Sequence, residues 1–353
     1  IFKLLTARYF PLIGDEAYYW LWSRHLDLSY VDHPPMIAYI NFLLTGLFGQ
    51  HEMAIRLGSI GIVLLVSLII YLTGKELHGE KAGITAAVVF NLLPTFFGGG
   101  MFLVPQTVLF LFWSLSFYLL VKIVKTGKGY FWYLLGLSAG LGLLSDYVMA
   151  LFFIGTVVYL VLDREQRFWF RKKEPYLAVL LAAAIFSPVI VWNLRLGFTP
   201  LFYWGGKMGA GPRIGDNLLN FFGLQMLLYT PAIFVMTFYL IFKGKDLLSK
   251  VYAAAVFLPF LLISPLINIG GHWPATSYLP AIIDTRRAKK WVLGTIIGWA
   301  LLVNSLGFVY YLFLYPTPAE LKGREFTVNA ELREFIFDSA PRTGHTWVLA
   351  NDL

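Results

Sequence analysis

Read along its length, the chain alternates long apolar runs with short polar clusters. Residues 82–121, 251–283 and 291–319 contain no Asp, Glu, Lys or Arg. A helix that crosses a bilayer needs about 20 mostly apolar residues, so these runs predict membrane spans, and the first two are each long enough for a pair. Setting boundaries at the polar clusters predicts eleven spans, at about 1–13, 53–73, 82–97, 103–121, 130–145, 147–162, 175–192, 218–242, 251–267, 275–284 and 291–315. The first has only 13 residues before Gly14 and is expected to have lost its beginning. Met36–Phe48 is apolar but too short to cross, and predicts a helix lying at the membrane surface.

Composition sharpens this picture. Of 353 residues, 58% are hydrophobic and 14% charged, against about 25% charged in an ordinary soluble domain. A soluble globular protein is excluded, and so are a disordered chain, a collagen and a secreted disulfide scaffold. With no cysteine, neither a thiol nucleophile nor a thiolate metal site exists. The net charge of +8 is a matter of topology and not of nucleic acid. When loops are numbered alternately, one set holds 17 of the 28 Lys and Arg residues, and the opposite set, up to residue 315, holds only Arg24, Arg56, Arg195, Lys207 and Arg213. The basic side of a membrane protein is the cytoplasmic one. The chain is thus expected in a bacterial or archaeal plasma membrane, with 14–52 and 195–216 outside.

The inner loops are short, the longest being 163–174, and no glycine-rich phosphate loop follows a strand. Nothing there can enclose a nucleotide, so chemistry is expected on the outer face, where the long loops lie. Residues 316–353 hold 10 charges and read as the start of an outer soluble domain, apparently truncated, behind a membrane domain at 1–315.

The first outer loop reads GDEAYYWLWSRHLDLSYVDHPPMIAYI. Asp15 leaves the first span directly, either as the cap of a surface helix or as a carboxylate able to take a proton from an incoming hydroxyl. Asp32-His33-Pro34-Pro35 is either a helix-starting turn or a polar cluster aimed at a phosphate or a metal. Arg56, at the outer end of the second span, either snorkels to headgroups or, with Lys207 and Arg213, meets a phosphate arriving within the bilayer. His272 shares that face with His33, as a structural group or a ligand. Asp146, the only charge between Gly129 and Leu162, is a turn residue or, like most acids at such depth, a functional one.

The loop sequence above, together with SPVIVWNLRLGF and GHWPATSYLPAII, resembles the GT-C membrane glycosyltransferases. It is most similar to the branch with the protein mannosyltransferases and the lipid A aminoarabinose transferase. The resemblance covers nearly all of 1–315. It implies an all-α polytopic protein of about eleven transmembrane helices, with interfacial helices in the first outer loop. It also implies an extracytoplasmic site and inverting transfer of a sugar from a polyprenyl-phosphate donor to a lipid, glycan or protein acceptor. By motif, Asp15 matches the catalytic acid and Glu16 its neighbour, while Asp32-His33 matches the position that meets the lipid phosphate or a metal.

Two positions depart from the family. Gln106 follows Pro105 where relatives commonly carry an acid, and Asp146 stands where they often carry Lys; one reading is that Asp146 supplies the missing carboxylate. The resulting site has Asp15, Glu16 and Asp146 as catalytic residues and His33, Arg56, Lys207 and Arg213 around the donor phosphate. No cofactor is required, with a divalent ion at Asp32, His33 and His272 as the alternative. A lipid or sugar flippase and a non-catalytic GT-C relative are the competing readings. A flippase predicts ionisable residues at mid-membrane, whereas here they gather at span ends and in outer loops. Membrane lipids are the other expected partner.

Overall fold

The computed structural model describes residue 3, residues 12–198 and residues 214–313, with side chains to residue 310. Most of the expected first span, all of the expected outer domain at 316–353, and both Lys207 and Arg213 lie outside the described residues. Among the described residues every regular element is helical.

Two helices fill the first outer loop, α1 (Gly14–Arg24) and α2 (Met36–Phe48). The second occupies the apolar run foreseen for it, starting after Pro35 and stopping at Gly49, whose φ of 95° suits glycine. Next, α3 (Glu52–His78) turns at Gly79 into α4 (Glu80–Leu92) and the single turn α5 (Pro94–Phe97). They are followed by α6 (Pro105–Thr126), α7 (Tyr130–Leu143), α8 (Ala150–Leu162) and α9 (Glu174–Arg195). The second half holds α10 (Ile214–Tyr229), α11 (Pro231–Lys243), α12 (Leu247–Ile263), the short α13 (Leu279–Ile283) and α14 (Lys290–Phe313).

Among the described residues four helices, α3, α6, α9 and α14, are long and apolar enough to cross a membrane, or up to six spans if two bent pairs each count as one. Those pairs correct the sequence reading. The expected span 82–97 is α4 bent by 75° into the segment Pro94–Met101, and the expected span 218–242 is α10 bent by 109° into α11. Proline causes both breaks. It has no N–H to continue a helix and pushes its predecessor out of helical geometry. Leu93 is extended at ψ 133° before Pro94, and Thr230, at φ 65°, caps α11 by accepting from the Ile233 N–H. The expected span 275–284 is a 3-10 turn followed by five α-helical residues, too short to cross.

Leucines such as Leu64, Leu65 and Leu68 of α3, Leu180 of α9 and Leu301, Leu302 and Leu306 of α14 face outward, while serines and threonines such as Ser59, Ser116, Ser138 and Thr237 are buried. Outward apolar surface of this extent belongs in lipid: the chain is an integral membrane protein. Small residues set the closest packing. A Cβ on Gly136 would lie 2.5 Å from Ala178 O and one on Gly140 would lie 3.0 Å from Ala182 Cα, so this GxxxG pair seats α7 on α9. Gly294 and Gly298 of α14 face open space instead.

Candidate active site

Asp15 and Glu16 are neighbours in the first turn of α1, yet the helix turns them to different surroundings. Ile13 precedes the helix, so Asp15 is not its cap. Glu16 does the terminal work, accepting the Ile13 N–H at 3.2 Å and, from the far side, the Leu103 N–H at 3.1 Å. Arg56 of α3 closes the arrangement, donating to Glu16 Oε1 at 2.7 Å and to Met101 O at 2.9 Å. Neither side chain of this pair is exposed. Burial pushes the Glu16 carboxyl up, against the pull of Arg56 and the two N–H groups. The pair rivets α1 to α3 and to the Gly99–Leu103 bend.

Asp15, by contrast, is exposed and lines a cavity of roughly 270 Å³. Its polar lining also includes Gln106, at the start of α6, and His272, while Ile62, Val66, Phe90 and Phe110 carry it toward the apolar interior. His272 is placed from beneath: the Tyr278 hydroxyl donates to Gln225 Oε1, and the Gln225 amide donates to Gly271 O, the carbonyl just before it. Tyr278 is in turn stacked on Tyr229 at 3.9 Å between ring centres. Burial pushes the His272 imidazole down, against the pull of Asp146 and Asp15.

Asp146 stands behind Gln106. Its turn is tied to the first outer loop by a bond from the Met36 N–H to Leu144 O at 2.9 Å. The Val148 N–H binds Asp146 Oδ1 at 2.8 Å, capping a 3-10 turn (Tyr147–Met149), and the Gln106 amide donates to Oδ2 at 3.3 Å. His33 Nδ1 lies 3.7 Å from the same oxygen. Burial raises the Asp146 carboxyl to about 6, opposed by the Val148 N–H, His272 and Gln106. The carboxylate absent at position 106 is therefore present one hydrogen bond away. Asp32 is buried beside them and accepts from the Tyr18 hydroxyl at 3.5 Å, and Tyr19 sets its ring edge against His33.

Of the residues singled out from sequence, Asp15 and His272 meet at the cavity and Asp146 and His33 form a pair beside it. Arg56 and Glu16 do not join them. Arg56, expected from sequence at the donor phosphate, and Glu16, expected as a catalytic group, are paired with each other inside the protein and are not among the residues lining the cavity. Among the described residues no three His, Asp or Glu side chains gather as metal ligands; Asp32 faces Tyr18 while His33 faces Asp146. Sequence reasoning missed the Gln225–Tyr278 support, since buried polar residues far apart carry no local signal.

Residues 32–192 match the family described as dolichyl-phosphate-mannose-protein mannosyltransferase. The lipid A galacturonosyltransferase of Rhizobium johnstonii is 25% identical over 283 residues, 76% of this chain and 59% of that protein. An undecaprenyl phosphate-alpha-4-amino-4-deoxy-L-arabinose arabinosyl transferase of Erwinia tasmaniensis is 28% identical over 52% of this chain and 35% of its own length. The crystal structure of ArnT from Cupriavidus metallidurans bound to undecaprenyl phosphate superposes with a TM-score of 0.67 at 17% identity, covering 90% of this chain and 64% of that one. The matched stretch thus spans between a third and two thirds of these relatives. Sequence and fold both bear out the resemblance to the GT-C membrane glycosyltransferases.

Proposed function

We propose, with the GT-C fold as premise, that this chain is an inverting glycosyltransferase that moves a monosaccharide from a polyprenyl-phosphate donor to an extracytoplasmic acceptor of the lipid A class. The observation that carries this reading is the joining of Asp15, Gln106 and His272 at one cavity whose remaining wall, Thr95 and Thr107 apart, is apolar. Such a cavity suits a substrate that is sugar at one end and hydrocarbon at the other. The relatives named above, described by lipid A and undecaprenyl phosphate, support the same class.

In the reaction, an acceptor oxygen attacks the anomeric carbon opposite the phosphate, the bond from that carbon to the phosphate oxygen breaks, and the configuration inverts. The lipid phosphate leaves as an anion and needs no strong acid; its charge is met by fixed cations in a low-dielectric setting. We assign that task to His33 and, on charge alone, to Lys207 and Arg213. A hydroxyl acceptor gives its proton to Asp15. A phosphate acceptor needs no base, and Asp15 then faces the positive charge developing on the sugar. Asp146, held by Gln106, takes the part of the second acid. Glu16 and Arg56 hold α1 in place and touch no substrate.

The arrangement we propose around this site has the 14–52 loop on the extracytoplasmic face of a bacterial inner membrane, and an outer soluble domain beginning near 316. The deciding experiment is transfer by the purified full chain. Sugar should pass from a polyprenyl-phosphate donor and not from a soluble nucleotide sugar. Transfer from the nucleotide sugar in the absence of polyprenyl lipid overturns the reading.

A further inference from the structure

No residue lining the cavity is Lys or Arg among the described residues, although the proposed donor brings a phosphate, and Arg56 is committed to Glu16. A cation nonetheless abuts the cavity wall. Lys3, set in an apolar run, donates from Nζ to Phe96 O at 2.7 Å. A Cβ built on Gly100 would lie 3.0 Å from that Nζ and 3.0 Å from Val63 Cγ2. Phe96, Gly100 and Val63 all line the cavity. Among the described residues, then, it is Gly100, which has no side chain, that lies between the ammonium and the space inside. A Cβ on Gly99, beside it in the lining, would meet nothing within 4 Å.

The geometry points to Lys3 as a binding residue for the lipid-borne phosphate of the donor. This rests on the donor reading above and names a contact within it. A charged side chain within the membrane is costly and marks a site by default, and a lysine suits this one. Its ammonium is a compact charge with three donors on a four-carbon stem. It can keep one donor on Phe96 O and turn another toward a phosphate oxygen past the bare backbone of the glycines. The sugar then lies toward Asp15, Gln106 and His272, and the phosphate toward Lys3, across a space of monosaccharide-phosphate size. The leaving lipid phosphate retains its contact with Lys3 as its negative charge grows.

The test uses the full chain purified in nanodiscs, with polyprenyl phosphate, the matching uncharged polyprenol and lipid A as separate probes. Wild-type protein should bind polyprenyl phosphate more tightly than polyprenol. Lys3→Met should reduce that preference by about tenfold, a loss on the scale of 1.4 kcal/mol, while Lys3→Arg retains most of it. A role confined to holding Phe96 O would weaken both lipids alike and leave their ratio unchanged, which overturns the inference. A loss confined to lipid A overturns the assignment to the donor. Wild-type protein without any preference for the phosphate overturns the donor reading itself, a result distinguishable from failure of Lys3 alone. Should Lys3→Met not fold, Gly100→Ala serves instead: its methyl group crowds Nζ without removing the charge, and it too should lower the ratio.

Discussion

Asp15 and Glu16 are adjacent acids at the same helix end, and everything that surrounds them differs. Glu16 is sealed, with three donors already in place, one of them a guanidinium at 2.7 Å. Asp15 opens on a cavity that it shares with Gln106 and His272, and the Asp146 carboxylate is held behind Gln106 by its amide. Burial and full satisfaction commit the first to architecture, while the second keeps its acceptor capacity for something that arrives. Identity and position in sequence do not separate these two roles; the neighbours do.

The comparison breaks most sharply in activity. Asp15→Asn should lower transfer to a hydroxyl acceptor by about 10²- to 10⁴-fold, the usual share of a general base, while thermal unfolding of the purified protein stays near wild type. If unfolding shifts as far as activity falls, Asp15 is structural after all. Glu16→Gln should show the reverse order of effects. It leaves a buried arginine without its countercharge, a loss of about 3–5 kcal/mol visible as a lower unfolding midpoint. Glu16→Leu with Arg56→Leu should recover much of that stability, since a dry apolar pair often replaces a buried ion pair without loss.

The second carboxylate sharpens the contrast through pH. Burial lifts Asp146 from 3.8 to about 6, so its proton is held more tightly in the folded protein than in the unfolded chain. The stability it contributes is full below pH 3.8 and is lost as pH rises through about 6. Asp146→Asn should remove an inflection near that pH from the rate profile and flatten stability across the same window. In the smallest of these effects, Gln106→Glu should move the inflection upward. It replaces an amide donor to Asp146 with a like charge. An unmoved profile would show that some other group titrates there.

The surface helix Met36–Phe48 was legible because Pro35 and Gly49 bracket a single apolar run. The breaks at Pro94 and Pro231 were not, although the prolines were visible, because the apolar residues on both sides of each read as one continuous span. The partner of Arg56 was hidden for a related reason. A charge at a span end looks the same whether it reaches headgroups or a carboxylate 40 positions away, and only the fold brings Glu16 to it. The partnership of Gln106 with Asp146 likewise has no local trace. Two departures that look independent in the linear text are hydrogen-bonded neighbours in space.

Asp15 and His272 line one cavity from opposite ends of the described chain, and Gln225 holds the latter from a third place. A ribosome delivering this chain to the membrane thus makes the first acid long before its partners exist. Until the segment past α12 has been inserted, the early helices enclose no complete pocket and have nothing to capture. Assembly of this cavity is consequently a late event in biosynthesis.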